Sequence, residues 1–275
     1  MRATVRLVAL AILAAAAQVF AASAASAQPV EDVLDHFRCY EVLQWATQPP
    51  LWNAVRLTDQ YETEDVQIGR PRLFCNPVDK DHPPVFWDIV DPRDHLTCYE
   101  VFGNVLTSRK NKIVNQFETK TKTMKDPELL CLPTEKNGEG FPANLDHFKC
   151  YETTPGTPLN VTVGLRDQFG ASGAIVFDRL RMCNPTQKET PDGVIVPILH
   201  PEAHLMCYRL EDPIVPPIPD IGIRHQLYPD GSFLVLGHAQ ELCVPSLKKP
   251  APICGLGAEL LLLAPLLALS RRWRR

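Results

Sequence analysis

The sequence lacks helical periodicity sustained beyond two turns anywhere between its two ends, which argues against a helical fold. It also lacks the G-x-S-x-G, H-E-x-x-H and P-loop motifs of common enzyme classes. The C-x-x-C-H motif of haem attachment is absent as well. We therefore predict a non-enzymatic protein that needs no cofactor and has no catalytic or cofactor-binding residues.

Residues 1–27 have the three parts of a secretory signal peptide. Arg2 and Arg6 precede an apolar stretch, and the small residues "ASA" end at Ala27. A signal peptidase requires such small residues before its cleavage point. The apolar run is too short and too rich in alanine to favour a membrane-spanning helix. We expect export and a mature chain that begins at Gln28.

The other end, 254–275, is also divided into three parts. Cys254 and Gly255 precede an apolar run, and the chain then closes with four arginines, Arg271, Arg272, Arg274 and Arg275. The apolar run covers residues 256–269, which is shorter than the ~20 residues that cross a bilayer comfortably.

This order of residues resembles the C-terminal sorting tails of bacterial surface proteins, in particular the myxobacterial type, in which a Cys precedes the apolar helix. The resemblance implies recognition by a sorting or processing protease at the inner membrane, cleavage near Cys254 and display on the cell surface. It also allows a lipid on Cys254. In the alternative interpretation the segment stays as a permanent anchor helix, because short spans can be accommodated by thinning the membrane. Contact with a membrane is expected only through this tail.

The body of the chain lacks an excess of positive charge. The whole chain has 28 Lys and Arg against 32 Asp and Glu, and removing both ends leaves 22 against 31. The body therefore carries a net charge near −9. This balance argues against nucleic acid as a partner.

One phrase occurs four times in the body. The stretches "LDHFRCYE", "RDHLTCYE", "LDHFKCYE" and "EAHLMCYR" share the pattern His-x-x-Cys, and a Tyr follows each Cys. In each unit a second Cys lies 33 or 36 residues after the first, and it stands before x-Pro. A Gln that precedes an aromatic residue or Leu recurs between the two cysteines, at Gln60, Gln116, Gln168 and Gln226. Aligned landmarks of this kind indicate an internal repeat.

Eight cysteines at regular spacing in an exported chain indicate disulfides. We predict that each unit closes its own loop, which gives the pairs Cys39–Cys75, Cys98–Cys131, Cys150–Cys183 and Cys207–Cys243. Spacing alone does not settle connectivity. Exchange between neighbouring units, such as Cys39 with Cys131, is the alternative.

The four units alternate in kind. The first and third share "LDHF" and "CNP", whereas the second and fourth share an apolar residue after the second Cys. We predict two tandem β domains, at 30–137 (units 30–80 and 88–137) and 142–249 (units 142–190 and 196–249). Each is expected to be a disulfide-stapled module that resembles a β-sandwich or a barrel.

The repeated phrase suits a β-strand, in which alternate side chains point to opposite faces. The Cys and the apolar residue two places before it share one face, which we expect to look inward. The His, the variable residue and the Tyr share the other, and we expect that face to be solvent-exposed. The Pro after the second Cys is expected to end its strand, because it removes a backbone donor.

The exposed face could bind a sugar or a peptide through its imidazole and phenol groups. The weak ligand-surface candidates are His36, Tyr40, His95, Tyr99, His147, Tyr151, His204 and Tyr208. A packing role for these residues is the simpler interpretation, since repeats often keep packing pairs. Metal binding is a further alternative, with its best cluster at His200, His204 and Cys207, although we predict no metal site.

Residues 30–249 resemble uncharacterised secreted repeat proteins of bacteria that use such tails, through the H-x-x-C-Y, D-Q-Φ and C-x-P landmarks. This resemblance implies no known activity. The leading hypothesis is therefore an exported surface protein that binds an extracellular glycan or protein or serves as a scaffold. The alternatives are a secreted hydrolase with its site between modules, and a metal-binding or redox protein that uses His and Cys.

Overall fold

The computed structural model describes residues 30–46, 52–154, 156–212 and 217–250. The predicted signal peptide and the predicted sorting tail lie outside these residues. In the described part, one short 3-10 helix (Val30–Asp32) precedes fifteen β-strands of a single sheet. No helix found there has the length and apolar character needed to cross a membrane. The prediction of a mainly β protein is confirmed.

The strands follow the four sequence units. Unit one contains β1 (Phe37–Trp45), β2 (Trp52–Thr58) and β3 (Thr63–Pro77), and β4 (Asp79–His82) and β5 (Val85–Trp87) come after it. Unit two contains β6 (His95–Phe102), β7 (Arg109–Val114) and β8 (Thr119–Lys136). Unit three contains β9 (His147–Thr153), β10 (Val161–Asp167) and β11 (Gly170–Glu189), followed by β12 (Ile195–Val196). Unit four contains β13 (His204–Glu211), β14 (Ile218–His225) and β15 (Tyr228–Pro250).

Eight of these strands close into a ring. Each unit supplies two neighbours, so that the order around the ring is β1, β3, β6, β8, β9, β11, β13 and β15, and β15 pairs with β1. Every pairing is antiparallel. The expectation of two separate β domains is therefore corrected to one closed sheet. The outer strands of units one and two, β1 and β8, pair with β15 and β9 of the other two units. The ring therefore has no unpaired edge.

The interior of the ring contains all eight cysteines of the units. They pack with apolar neighbours such as Phe37, Leu96, Phe148 and Leu205. Within each unit the two cysteines are directly opposed on neighbouring strands. The prediction that the Cys-bearing face looks inward is confirmed.

The remaining half of each unit forms a hairpin outside the ring, which we call its arm. Arms one to four consist of β2, β7, β10 and β14, each paired with the first half of the long strand that follows it. Irregular register marks the passage of the long strands from arm to ring, as between Ile68 and Pro71 and between Met124 and Pro127. Such bulges bend a strand and increase its twist, which turns the arm over the outer face of the ring.

Each arm reaches the unit two places further along. β2 pairs with the end of β11, β7 with the end of β15, and β14 with the end of β8. β10 pairs with β4, which continues the direction of β3. Units one and three therefore exchange arms, and so do units two and four. This exchange gives a physical basis for the alternation seen in the sequence.

The expectation that Pro ends the second strand holds for one unit of four. β3 ends at Pro77, but β8, β11 and β15 continue past Pro133, Pro185 and Pro245. The added length serves the exchange, since the arm of another unit pairs with it.

Candidate functional site

The outer face of the ring carries the repeated His and Tyr side chains with the variable residue between them. The prediction that this face is solvent-exposed is wrong. The variable residues are buried, namely Arg38, Thr97, Lys149 and Met206. So are all eight candidates for a ligand surface, namely His36, Tyr40, His95, Tyr99, His147, Tyr151, His204 and Tyr208. The arms of other units cover this face, so the sequence of a single unit does not show that the face is buried.

The residue before each repeated Gln closes the turn at the tip of an arm. Its side chain accepts the backbone N–H of the residue two places later, in the manner of an Asx-turn. The four pairs are Asp59 with Tyr61 (2.8 Å), Asn115 with Phe117 (3.0 Å), Asp167 with Phe169 (2.9 Å) and His225 with Leu227 (3.1 Å). His225 acts as the acceptor through Nδ1, so the proton of its neutral ring lies on Nε2.

The same turn residue then contacts the Tyr of the unit two places along. The Tyr40 hydroxyl donates to Asp167 at 2.7 Å, and the Asn115 amide donates to the Tyr208 oxygen at 2.9 Å. The Tyr99 oxygen lies 2.7 Å from Nε2 of His225. Tyr151 bonds to Asp59 in the fourth case. The D-Q-Φ landmark of one unit and the Tyr of another are therefore two halves of one contact.

The aromatic residue of each turn packs against the same tyrosine. The ring centroids are 5.1 to 5.3 Å apart in the pairs Tyr40–Phe169, Tyr61–Tyr151 and Phe117–Tyr208, all edge-on. Tyr99 contacts Tyr228 at 6.5 Å, one place later than the Leu that the sequence alignment suggested. Edge-on pairs of this kind contribute about 0.5–1.5 kcal/mol each beyond their buried area.

The repeated Gln binds the His of the preceding unit. Gln116 donates to Nε2 of His36 at 2.8 Å, and Gln226 hydrogen-bonds His147. Gln60 lies 3.3 Å from His204. The fourth contact is indirect: Glu139 lies 3.4 Å from His95 and accepts from Gln168. Each arm tip thus joins three units of the ring.

The four units also share a lysine that the sequence analysis did not identify. Each second Cys is followed five places later by a lysine, in the pattern C-x-P-x-x-K, at Lys80, Lys136, Lys188 and Lys248. Each lysine lies beside the His of its own unit. The signal was present in the spacing, and aligning the four C-x-P motifs a few residues further would have found it.

Burial keeps the repeated histidines neutral and makes three of the lysines easier to deprotonate. Loss of solvent, followed by the neighbouring lysine, lowers the pKa of His36, His147 and His204 to about 3 and that of His95 to about 4. Burial likewise lowers the pKa of Lys80 to about 7 and that of Lys188 and Lys248 to about 8.

An uncharged lysine is a nucleophile where a substrate can reach it. Lys80 is fully buried, with its Nζ 3.4 Å from the ring centre of Trp87. Lys188 is fully buried as well, and its Nζ makes no hydrogen bond. No substrate has access to either amine. Lys248 is half-buried and donates a hydrogen bond to Asn184. The repeated His, Tyr and Gln therefore form an interlock between units, with the repeated Lys beside the His of each unit.

The four disulfides within the units are present: Cys39–Cys75, Cys98–Cys131, Cys150–Cys183 and Cys207–Cys243. Sulfurs of neighbouring disulfides approach to 3.9 Å, as between Cys39 and Cys243. The space left between them is about 10 Å³, at the lower limit for one water molecule. The interior of the ring is a packed core that cannot hold a ligand.

One cluster combines metal-binding residue types in the described part, at Cys207, Glu241 and Cys243. Both cysteines are in a disulfide, so they offer no thiolate, the form that binds a metal. Glu241 is paired with Arg181. The cluster of His200, His204 and Cys207, named above as the alternative metal site, is not assembled, because His200 lies beside Asp146 whereas the sulfur of Cys207 faces the interior of the ring.

Open concave surfaces lie between the arms. One groove of about 590 Å³ is lined by Asn137, Gly222, Arg224, Asp230 and Phe233, among others. Another, of about 470 Å³, includes Tyr61, Arg109, Lys110 and Lys248. Apart from Tyr61 and Lys248, these residues are not among the repeated landmarks. Most residues that line these grooves therefore differ from unit to unit.

A family model described as a repeat of unknown function (DUF7450) matches the chain at residues 3–133 and again at 105–216. The two matches together span well over half of the chain. No curated protein and no solved structure matches it. The description of the family assigns no activity, so the proposal for function depends on the geometry.

Proposed function

The chain belongs to the DUF7450 family of repeats of unknown function, and from that premise we propose that it is a non-enzymatic binding or scaffold protein displayed outside the cell. Its ligand would be an extracellular glycan or protein. The disulfide-stapled ring would serve as a rigid support, and the non-repeated surfaces of the arms would make the contacts.

One observation carries this proposal. The repeated His, Tyr and Gln are engaged between units, and the repeated Lys lies beside the His of its own unit. An active site needs a nucleophile or an acid–base group that a substrate can reach. The repeated His and Tyr are enclosed, and the burial of His36, His147 and His204 takes their pKa far from neutrality. Lys248 is half-buried and donates a hydrogen bond to Asn184.

The disulfides support the location. Four disulfides in one chain fit an oxidising compartment outside the cytoplasm. In the proposal, residues 1–27 direct export and leave Gln28 as the first residue. A protease at the inner membrane then recognises the tail and acts near Cys254.

The binding function is tested with full-length protein exported by a bacterial host. Saturable binding to glycan and protein arrays is measured beside turnover of glycoside, ester and peptide substrates. We expect binding without turnover. Turnover of any of these substrates would overturn the proposal in favour of a secreted hydrolase.

Display is tested separately with Cys254→Ala. We expect intact mass spectrometry of the surface-displayed protein to show a chain without Arg275, and the variant to be released or retained incorrectly. Normal anchoring of the variant would remove the proposed role of the thiol. A mature protein that still carries residues 1–27 would exclude the signal peptide.

A further inference from the structure

Arm two differs from the other arms in charge. Its residues 109–124 contain five Lys and Arg and one Asp or Glu. The equivalent hairpins at 52–68, 161–176 and 218–236 each contain one Lys or Arg, with four, one and two acidic residues respectively. All four arms form the same hairpin on the same ring. The fold therefore does not require the basic residues of arm two.

Two of the five basic residues of arm two, Lys110 and Lys112, share one face with Lys249 of β15. Lys110 and Lys112 alternate with buried Asn111 and Ile113 along β7, so both lysines point outward. Lys112 is directly opposite Lys249 on β15, and the other neighbouring strand places Thr121 and Thr123 opposite the two lysines of β7. We call the set Lys110, Lys112, Lys249, Thr119, Thr121 and Thr123 the Lys/Thr face.

The three lysines have no counter-ion among the described residues. By contrast, Arg56 of arm one is paired with Asp65 and Arg224 of arm four with Glu135. Like charges directly opposed on neighbouring strands are destabilising. Retaining Lys112 opposite Lys249 in a body of net charge near −9 indicates that an external anion occupies this face.

The shape and chemistry of the face indicate the kind of anion. Lysines two places apart on a strand are about 7 Å apart, and directly opposed residues are about 5 Å apart. A polymer with closely spaced charges meets all three at once. The Lys/Thr face itself contains no aromatic residue, and Tyr61 is the one aromatic residue that lines the groove beside Lys110. A single ring offers little base stacking, which disfavours single-stranded nucleic acid. The threonine hydroxyls are suited to hydrogen bonds with sugar hydroxyls and with sulfate or carboxylate oxygens.

We propose that the Lys/Thr face binds an extended polysaccharide that carries carboxylate or sulfate groups. The proposal rests on the binding function proposed above and names its ligand class. The body-wide net charge near −9 conceals this basic face. Binding is electrostatic, so it weakens as salt is added.

The test uses full-length protein, with dextran sulfate and polygalacturonate as probes. The variant Lys110→Thr, Lys112→Thr, Lys249→Thr removes the charges and keeps residues that favour strands. The matched control, Arg56→Thr, Arg166→Thr, Arg209→Thr, removes three exposed charges elsewhere. We expect the first variant to bind both probes at least about tenfold more weakly at low salt, with a log–log salt slope reduced by roughly 2 to 3. The control should bind like the unchanged protein.

Three results would overturn the proposal. The first is equal loss in both variants, which would show a general effect of net charge. The second is preferential binding of an oligo-dT strand or of phosphatidylglycerol vesicles over both polysaccharides. The third is binding of neutral glycans alone, unaffected by the lysine changes, in which case the binding function stands and this site fails. Unfolding curves for both variants identify any loss that comes from misfolding.

Discussion

The buried residue just before the first Cys is charged in units one and three, whereas it is neutral in units two and four. Arg38 of unit one is paired with Asp212 and lies 3.6 Å from Asp167. Lys149 of unit three is paired with Glu62 at 2.9 Å and with Glu64. The equivalent residues in units two and four are Thr97 and Met206, both fully buried.

The contrast extends to the residue after the second Cys. Asn184 donates to Asp59 at 2.8 Å, and Asn76 approaches Asp167 at 3.5 Å. Units two and four have Leu132 and Val244 there, buried in apolar clusters. One backbone arrangement is thus stabilised by two different side-chain chemistries.

This contrast indicates how each of four similar arms pairs with the correct unit of the ring. Placing arm four on unit three would leave Lys149 buried without Glu62 and Glu64, because both carboxylates lie on arm one. An unpaired buried charge costs several kcal/mol. We infer that the charges select against wrong pairing of arms, which a purely apolar contact would tolerate.

The largest effect is expected for Lys149→Met, which gives unit three the residue of unit four. The change leaves Glu62 and Glu64 close together without a cation. We expect the free energy of unfolding to fall by about 3–5 kcal/mol, measured by denaturant unfolding with the disulfides intact. The control Met206→Leu should cost less than about 1.5 kcal/mol. Similar losses in the two variants would contradict the proposed difference between the units.

Removing a disulfide should not distinguish the two kinds of unit. Cys98–Cys131 and Cys150–Cys183 both close loops with a separation of 33 residues. Loops of that length give about 3–4 kcal/mol by restricting the unfolded chain. We expect equal losses from Cys98→Ala with Cys131→Ala and from Cys150→Ala with Cys183→Ala. A clearly larger loss in one pair would show that its unit depends on more than loop closure.

A smaller effect is expected from pH. Burial lowers the pKa of His147 to about 3 and that of His95 to about 4, from 6.5. The unfolded chain takes up these protons first, so the stabilisation is complete above pH 6.5 and is lost as pH falls. Each histidine contributes about 1.4 kcal/mol per pH unit. Burial raises the pKa of Asp35 to about 6 and of Asp94 to about 7, which offsets part of the loss between pH 4 and 7.

We therefore expect stability to decline from pH 6.5 towards pH 4. His147→Gln should reduce the slope of unfolding free energy against pH by the equivalent of about one proton down to pH 3. His95→Gln should do so only down to about pH 4. Denaturant midpoints at a series of pH values measure both slopes. Unchanged slopes in both variants would mean that these histidines take up protons while the chain is folded.

Much of the fold could be predicted from local patterns. The two cysteines of a unit, such as Cys39 and Cys75, are separated by nearly the same number of residues in all four units. The alternation of apolar and polar side chains around each first Cys identified the inward face. Gln60 and its equivalents marked the turn of each arm. The role of that turn was beyond reach, because Asp59 acts on Tyr151 and Gln60 on His204, residues far away in the chain.

Local patterns were enough to predict the four units, the strand of the repeated phrase and the inward face of its Cys, and they favoured disulfides within units, because the paired cysteines are only 33 or 36 residues apart. Only the tertiary structure decided that the four units form one ring and that each arm covers a different unit. It also decided that the His and Tyr face is buried and that one basic face remains open. These outcomes depend on which strands meet when the sheet closes, and closure joins β1 to β15 from opposite ends of the described chain.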